Sequence, residues 1–424
     1  MKELKIGLCG TGNVGKAFLN SVEESKKLLG FQVDTQLKIV SIGSRKGKGA
    51  LHTDAAITRD IMEVAENPDV EVLVELIGGT DVAYELVKKA IKNGKHIVTA
   101  NKALIAKYGN ELFAESRKKN IQIGFEASVA GGTPVIKAVR EGLVAHNILW
   151  FAGILNGTSN YILSYMVDSN SSFEVALKSA QDLGLAESDP ALDINGTDAA
   201  QKASILASLA FQVPFDFSLV NYEGIEDITL EDLKYADELG YVIKHIAQGK
   251  LSNGKVSVCA HPMLVSKESL LSKVGQEMNA LEVFAQDIGS TIYYGPGAGP
   301  VPTASAVIAD LVDIGKNNLI YKKIESTKNS LVLATSEMRA RYFRIEVTNE
   351  PGVIAKISSL FAANSLSIEA LIQHDSKSQV QKKNNCVSVV IITHEIDDNL
   401  TTKICNSLSG VKEVIEKVRV FRIH

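Results

Sequence analysis

The sequence predicts an α/β protein built from an N-terminal Rossmann-type parallel sheet, a central α+β unit and a C-terminal ferredoxin-like βαββαβ unit. Three observations predict it. The segment LKIGLCGTGNVGKAFLNSV runs a short apolar strand into Gly10, Gly12 and Gly15 at GxGxxG spacing and then into a helical pattern. The strands LKIVSIG, VEVLVELIG and KHIVTA follow with helical stretches between them, the alternation of a parallel sheet. From residue 341 the chain restarts as strand, helix, strand, strand, helix, strand.

Size and composition frame these units. A chain of 424 residues suits two or three domains, each large enough to bury a core. Hydrophobic residues at 45%, charged residues at 22% and a mean hydropathy of +0.07 describe a soluble globular chain. A net charge of -4 and a pI near 6.1 argue against a nucleic-acid partner. Cys9, Cys259, Cys386 and Cys405 form no CxxC pair, so neither a disulfide framework nor a zinc site is expected, and a reducing compartment fits. The amino terminus enters a strand directly, and no apolar run approaches the ~18 residues of a membrane helix, so the expectation is cytoplasmic with no membrane partner. The expected division is 1–130 for the dinucleotide unit, completed by a helix near 300–320, then 131–320 for the substrate unit, 321–340 for a linker and 341–424 for the last unit.

In the first unit each glycine of the turn has a task. Gly10 permits the tight turn, Gly12 lets backbone approach a pyrophosphate, and Gly15 lets the helix lie close on the strand, with Thr11, Asn13 and Val14 in the same phosphate-facing turn. The second strand ends in Ser44, Arg45 and Lys46 where an NAD-preferring fold places an acid, which favours a 2'-phosphate and hence NADP(H) over NAD(H); a solvated basic turn is the plain alternative. Ile77, Gly78 and Gly79 end the third strand with small residues where a cofactor would press on backbone. Asn101 and Lys102 end the fourth at the carboxyl edge where such sheets collect ligands, although an ordinary surface lysine reads the same way.

The central unit carries the most chemistry. The stretch GLAESDPALDINGTDAAQK gathers Gly184, Glu187, Asp189, Asp193 and Asp198 ahead of Lys202. Asp198 and Lys202 are the only charges on the helix DAAQKASILASLAF, four apart and so on one face. A surface ion pair is the bland reading. A helix apolar nearly all round is buried, however, and a buried lysine is a tunable acid.

FEASVAGGTPVIKAVREGL, WFAGILNGTSNYILSYM, the acidic run, TANKALIA and GPGAGPVPTASAVIADL together closely resemble homoserine dehydrogenase over most of the chain. The resemblance implies reversible NAD(P)-dependent reduction of aspartate 4-semialdehyde to homoserine, a step toward threonine, methionine and isoleucine. It makes Lys202 the proton donor to the aldehyde oxygen and Lys102 a second catalytic lysine near that oxygen and the cofactor. Asp198 joins the catalytic set and, with Gly184, Glu187 and Asp193, the substrate site. Asp193 reads equally as a turn residue, and Asp189 as scaffold. Gly297 and Gly299 match the segment that lies against the nicotinamide. Glu126, Val129, Gly131 and Thr133 match a site for a structural monovalent cation, Na+, although the string also describes a tight turn. The chain departs from the family's common pattern at Leu185, where a tyrosine is frequent, and at Gln201, where a histidine is frequent.

The turn NEPGVIAKI resembles the ACT domain, a module that binds amino acids and regulates biosynthetic enzymes. That implies an effector site at Asn349, Pro351, Gly352 and Val353, where amides at a helix start could hold a carboxylate, with threonine the natural effector and a homodimer or homotetramer the natural assembly. The module could instead serve dimer contacts alone. No threonine binding by isothermal titration, together with unchanged activity after removal of residues 341–424, would exclude the effector site. Two other functions stay in view: another amino-acid-pathway dehydrogenase, disfavoured where it needs an acyl-forming cysteine, and a non-catalytic NADP-sensing ACT regulator, which would not need Lys202 and Asp198 on a buried helix.

Overall fold

The computed structural model describes residues 2–33, 35–45, 54–316, 329–333, 338–373 and 386–424; Lys46 lies outside them. The first unit runs β1 (Lys2–Cys9), α1 (Asn13–Val33), β2 (Thr35–Gly43), β3 (Ala56–Thr58), α2 (Ile61–Glu66), β4 (Val72–Glu75), α3 (Asp81–Lys92), β5 (His96–Thr99), α4 (Lys102–Lys118) and β6 (Ile123–Gly124). Its six strands are parallel in the order β3-β2-β1-β4-β5-β6. The order reverses between β1 and β4, so their carboxyl ends leave a crevice there. Val72, Leu73 and Val74 are wholly buried, as a sheet covered on both faces requires.

The chain continues through α5 (Val135–Lys137), β7 (Ile148–Ile154), α6 (Gly157–Asp168), α7 (Phe173–Asp182), α8 (Ala191–Ile194), α9 (Thr197–Phe211), β8 (Asn221–Tyr222), α10 (Leu230–Glu238), β9 (Tyr241–Ser252), β10 (Lys255–Ser266), β11 (Met278–Ala285), β12 (Gly289–Pro296) and α11 (Pro300–Gly315). Pro300 and Pro302 suit the first turn of α11, where orphan amides make a missing N–H harmless. This helix returns to the first sheet: Ala304, Val307 and Leu311 share a core cluster with Leu4, Ile6, Leu8 and Phe18. The long antiparallel pair β9 and β10 forms the backbone of the second sheet, with β7, β11 and β12 on its far side.

The last stretch forms β13 (Ser330–Val332), β14 (Arg341–Thr348), α12 (Val353–Ala363), β15 (Ile368–Gln373), β16 (Cys386–Thr393), α13 (Asp398–Ser409) and β17 (Arg419–Ile423). The four strands from β14 onward lie antiparallel in the order β17-β14-β16-β15, a ferredoxin-like arrangement. Its neighbours were not foreseen. β17 pairs in parallel with β10, Met263 opposite Arg422 and Leu264 opposite Ile423, so the central and C-terminal strands make one eleven-stranded sheet. Within the stretch expected as a linker, β13 lies along β10 at Lys255–Ser257. Ile243 and Leu264 share a core cluster with Tyr342, Val390 and Phe421, which buries the join in apolar contact. Pairing in this way covers a β17 edge that would otherwise expose unpaired amides and carbonyls.

Candidate active site

The glycine turn lines a cleft of about 600 Å3 at the carboxyl end of the parallel sheet, bounded by Gly10, Thr11, Gly12, Ser44, Arg45 and Ile77, among others. The three glycines separate by physical cause. Gly10 has φ +106°, and a Cβ there would lie 2.4 Å from the Leu76 carbonyl oxygen; at Gly15 it would lie 2.1 Å from that of Gly10. Among the described residues, a Cβ at Gly12 would meet no atom within 4 Å beyond its chain neighbours. Gly12 therefore has no packing reason to be glycine, and the space it faces is the room a pyrophosphate needs. The residues fit a dinucleotide. Ser44 is buried and its hydroxyl shares a 2.7 Å hydrogen bond with that of Thr11, which ties the glycine turn to the end of β2, while Arg45 is exposed at the rim. Asn13 and Val14 open α1.

A second set of groups meets at the same sheet edge. Asn101 caps α4 by accepting the Leu104 amide at 3.0 Å, which starts the helix at Lys102. The Lys102 ammonium lies 3.1 Å from Asp198 Oδ1, and the Lys202 ammonium lies 2.8 Å from Asp198 Oδ2, one turn along α9. Asp198 and Lys202 are 5% and 9% exposed, so this is no surface ion pair. Lys202 also donates to the Leu155 carbonyl at 2.6 Å. Asn156, the cap of α6, donates to Asp198 at 2.8 Å and to Asp193 at 2.8 Å, which holds the two acids side by side.

The electrostatics follow from this crowding. Burial alone would raise the Asp198 carboxyl, but Lys202 and Lys102 outweigh it and hold it below the usual carboxylate range. Asp193 is pushed up, by burial first and then by Asp198. Lys102 is held above the ordinary lysine value chiefly by Asp198, against the opposing effect of burial, with Asp193 and Glu187 adding to the pull. Glu187 is exposed at the rim, and Gly184, at φ +72°, ends α7 in a left-handed turn. Asp189 accepts the Ala191 amide at 3.2 Å at the start of α8.

The glycine loop after β12 has two different reasons for its glycines. A Cβ on Gly297 would sit 2.0 Å from the Asn279 side-chain amide, so this glycine is required by protein packing, whereas Gly299 is needed for its φ of +111°. Asn279 in turn donates to the Leu155 carbonyl at 3.0 Å, the oxygen that also receives Lys202. Nearby, the buried Glu126 carboxylate accepts the amides of Ile136 and Lys137 at 2.9 and 2.8 Å, and Asp310 accepts the Glu126 amide at 2.8 Å. Burial pushes Glu126 up to about 7. Val129 and Gly131 lie in the turn that follows, and the Thr133 carbonyl accepts the Val135 amide at 2.7 Å. In the C-terminal unit Gly352, at φ +91°, starts α12 without a side-chain cap, with Asn349 and Pro351 exposed beside it and Val353 buried.

Asn156, Asn279 and the Leu155 carbonyl were not singled out from sequence. Asn156 stands inside GILNGTSN, and an asparagine before a glycine reads as a turn or cap signal, which conceals its second task.

Comparison with known proteins matches three family models in chain order. "Homoserine dehydrogenase, NAD binding domain" covers residues 10–126, "Homoserine dehydrogenase" covers 134–312 and "ACT domain" covers 341–407. The chain is 40% identical to a homoserine dehydrogenase of Pseudomonas aeruginosa over all of both chains. It is 36% identical to that of Bacillus subtilis over all of this chain and 99% of the other. Among solved structures, a homoserine dehydrogenase from Thiobacillus denitrificans superposes with a TM-score of 0.92 at 38% identity, covering 100% of this chain and 99% of that one. A hyperthermophilic archaeal homoserine dehydrogenase in complex with NADPH superposes at 0.63 with 27% identity, covering 75% of this chain and 100% of the other.

Proposed function

The chain belongs to the homoserine dehydrogenase family of NAD(P)-dependent oxidoreductases, and on that footing we propose how its residues divide the conversion of L-aspartate 4-semialdehyde to L-homoserine. The observation that carries the reading is the convergence of two lysines on one buried carboxylate, Asp198, at the carboxyl edge of the dinucleotide sheet. When bound, the reduced nicotinamide supplies the hydride. Lys202 supplies the proton. Its ammonium has three N–H donors; one goes to Asp198 and one to the Leu155 carbonyl, which leaves the third for the aldehyde oxygen. As negative charge develops on that oxygen, the preorganised Lys202 and Lys102 stabilise it. Lys102 also shares the charge of Asp198, so Lys202 is not held by a full carboxylate when it releases its proton.

Asp198 already receives Lys202, Lys102 and Asn156, so it orients the lysines rather than gripping substrate. The substrate ammonium then falls to Glu187 and Asp193, with Gly184 bringing backbone close. Lys202→Ala should lower turnover about 10²- to 10⁴-fold, the range for a lost general acid, with cofactor binding retained in a fluorescence titration. Oxidation of NADPH with aspartate 4-semialdehyde measures it, and a wild type without turnover would instead favour a cofactor-sensing regulator. Neither Cys9 nor Cys259 suits a thioester route: Cys259 is buried, and burial, with Glu75, pushes the buried Cys9 thiol up to about 12.

Four finer points belong to the same reading. Arg45 at the cleft rim supports NADP(H) over NAD(H). Glu126 with the Val129, Gly131 and Thr133 carbonyls would supply the oxygen-only donor set of a structural Na+ site, with the buried Asp310 beside it; a melting temperature higher in NaCl than in LiCl at equal ionic strength would support it. The uncapped start of α12 supports an amino-acid effector at Asn349, Pro351, Gly352 and Val353, with threonine first to be tested by isothermal titration. The edge strand β12 exposes Ile292 and Tyr294, which supports a homodimer or homotetramer, to be read by light scattering. Among the described residues no helix is long and apolar enough to cross a membrane.

A further inference from the structure

Glu75 ends β4, is 0% exposed and has no task in the scheme above. The three residues before it in the strand are apolar and wholly buried, so nothing in the packing of this strand calls for a carboxylate. No lysine or arginine pairs with it among the described residues. Burying an acid without a counter-ion is costly unless hydrogen bonds replace the water, and each of its bonds goes to a segment that faces the site. Oε1 accepts the amides of Ile77 and Gly78 at 2.8 and 3.2 Å, in the turn that lines the cofactor cleft. Oε2 accepts the Thr99 hydroxyl at 2.5 Å.

The chain of bonds then closes on itself. Thr99 Oγ1 accepts the Asn101 amide at 3.0 Å, and Asn101 donates through Nδ2 to the Gly79 carbonyl at 2.6 Å. Asn101 Oδ1 caps α4, whose first residue is Lys102. Gly78 and Gly79 stand at φ +72° and +71°, a turn open to many conformations without these ties. We propose that Glu75 is a positioning residue for the reaction, locking the cofactor-facing turn and the helix start that carries Lys102 into one body. The proposal rests on the reading of Lys102 as a catalytic lysine. A single carboxylate with hydrogen bonds on both oxygens spans β4 and β5 in a way no apolar residue could.

Glu75→Gln preserves shape and, through its own Oε1, both amide contacts. It places an N–H against Thr99, whose hydroxyl proton then loses its acceptor. The expected result is a kcat lower by about tenfold and a cofactor KM higher by about threefold to fivefold, the scale of one or two hydrogen bonds, with a Tm near wild type because shape and both amide contacts are kept. Thr99→Val cuts only the Lys102 arm and should lower kcat while leaving the cofactor KM near wild type. The double variant should be little worse than Glu75→Gln, since both act through one link. Unchanged kcat and KM in Glu75→Gln would overturn the proposal. So would an activity loss that tracks a fall in Tm at constant KM, which is the mark of a stability role alone. Lys102→Ala, assayed in parallel, separates the two readings: if it keeps full kcat, the role of Lys102 fails, whereas an impaired Lys102→Ala beside an unaffected Glu75→Gln defeats only the positioning role.

Discussion

Asp198 carries three donors on two oxygens, and that single residue decides how the neighbouring groups are charged. A carboxylate this buried would ordinarily be driven toward its neutral form; the lysines reverse that, and Asn156 keeps Asp193 near enough to feel the remaining field. Lys202 was legible because an otherwise apolar helix makes a lone lysine conspicuous. Asn156 was not, because its bonds to Asp193 and Asp198 reach residues 37 and 42 positions away. Arg45 is the residue on which cofactor choice turns. Its replacement by Ala should raise the Michaelis constant for NADPH about tenfold and leave that for NADH nearly unchanged, as expected for one charge-assisted contact to a 2'-phosphate. Equal effects on both cofactors would remove Arg45 from the site. Ser44 has less freedom than its sequence position implied, because its hydroxyl is already bonded to Thr11.

At the scale of elements, the strand-turn-helix opening was readable since glycine spacing and apolar periodicity are local signals. What the spacing alone could not separate is why each glycine is there. Gly15 is forced by the approach of α1 to the Gly10 carbonyl, whereas Gly12 faces open space. Gly12→Ala should therefore keep the wild-type melting temperature and weaken cofactor binding, while Gly15→Ala should lower both. Thermal unfolding with and without NADPH distinguishes them, and a Gly12→Ala variant that melts early would show that the turn itself needs the glycine. Short elements escaped the sequence reading. α8 has four residues and α5 three, too few for a helical period to register, yet α8 carries Asp193 and the amino end of α5 receives Glu126.

At the scale of the molecule, the C-terminal unit is joined to the centre rather than appended to it. Arg422 of β17 bonds Glu223 at 2.9 Å and Asp398 of α13 at 3.2 Å, and Arg344 of β14 bonds Asp232 of α10 at 2.6 Å. Beyond Glu223, the Ile225 amide bonds the Ile194 carbonyl at 2.8 Å, one residue past Asp193. Removal of residues 341–424 is consequently no clean test of regulation, because it would strip β17 from β10 and open the cluster around Leu264 and Ile243. Two buried histidines lie at this join. His245 and His261 are both held below the ordinary histidine value, by burial first; His261 is further lowered by Arg422, while Glu223 partly opposes the effect at His245. Above about pH 6.5 both are neutral folded or unfolded. Below it the unfolded chain takes up protons that the folded chain resists, so stability falls as pH falls, by at most about 1.4 kcal/mol per unit for each histidine. Melting temperatures between pH 8 and 5.5 should decline below pH 6.5, and His261→Asn should make the decline shallower; a flat profile would contradict it.

The sequence by itself determined the fold class, the glycine turn, the buried lysine helix and the family, because each is written in short-range spacing or in contiguous motifs. Tertiary structure alone decided that Lys102 and Lys202 share one carboxylate, that Glu75 ties β4 to the start of α4, and that β17 joins β10. Those outcomes depend on which faces and edges meet once the chain is compact. Hydrogen-bond complementarity between distant segments sets them, and no local periodicity records such a choice.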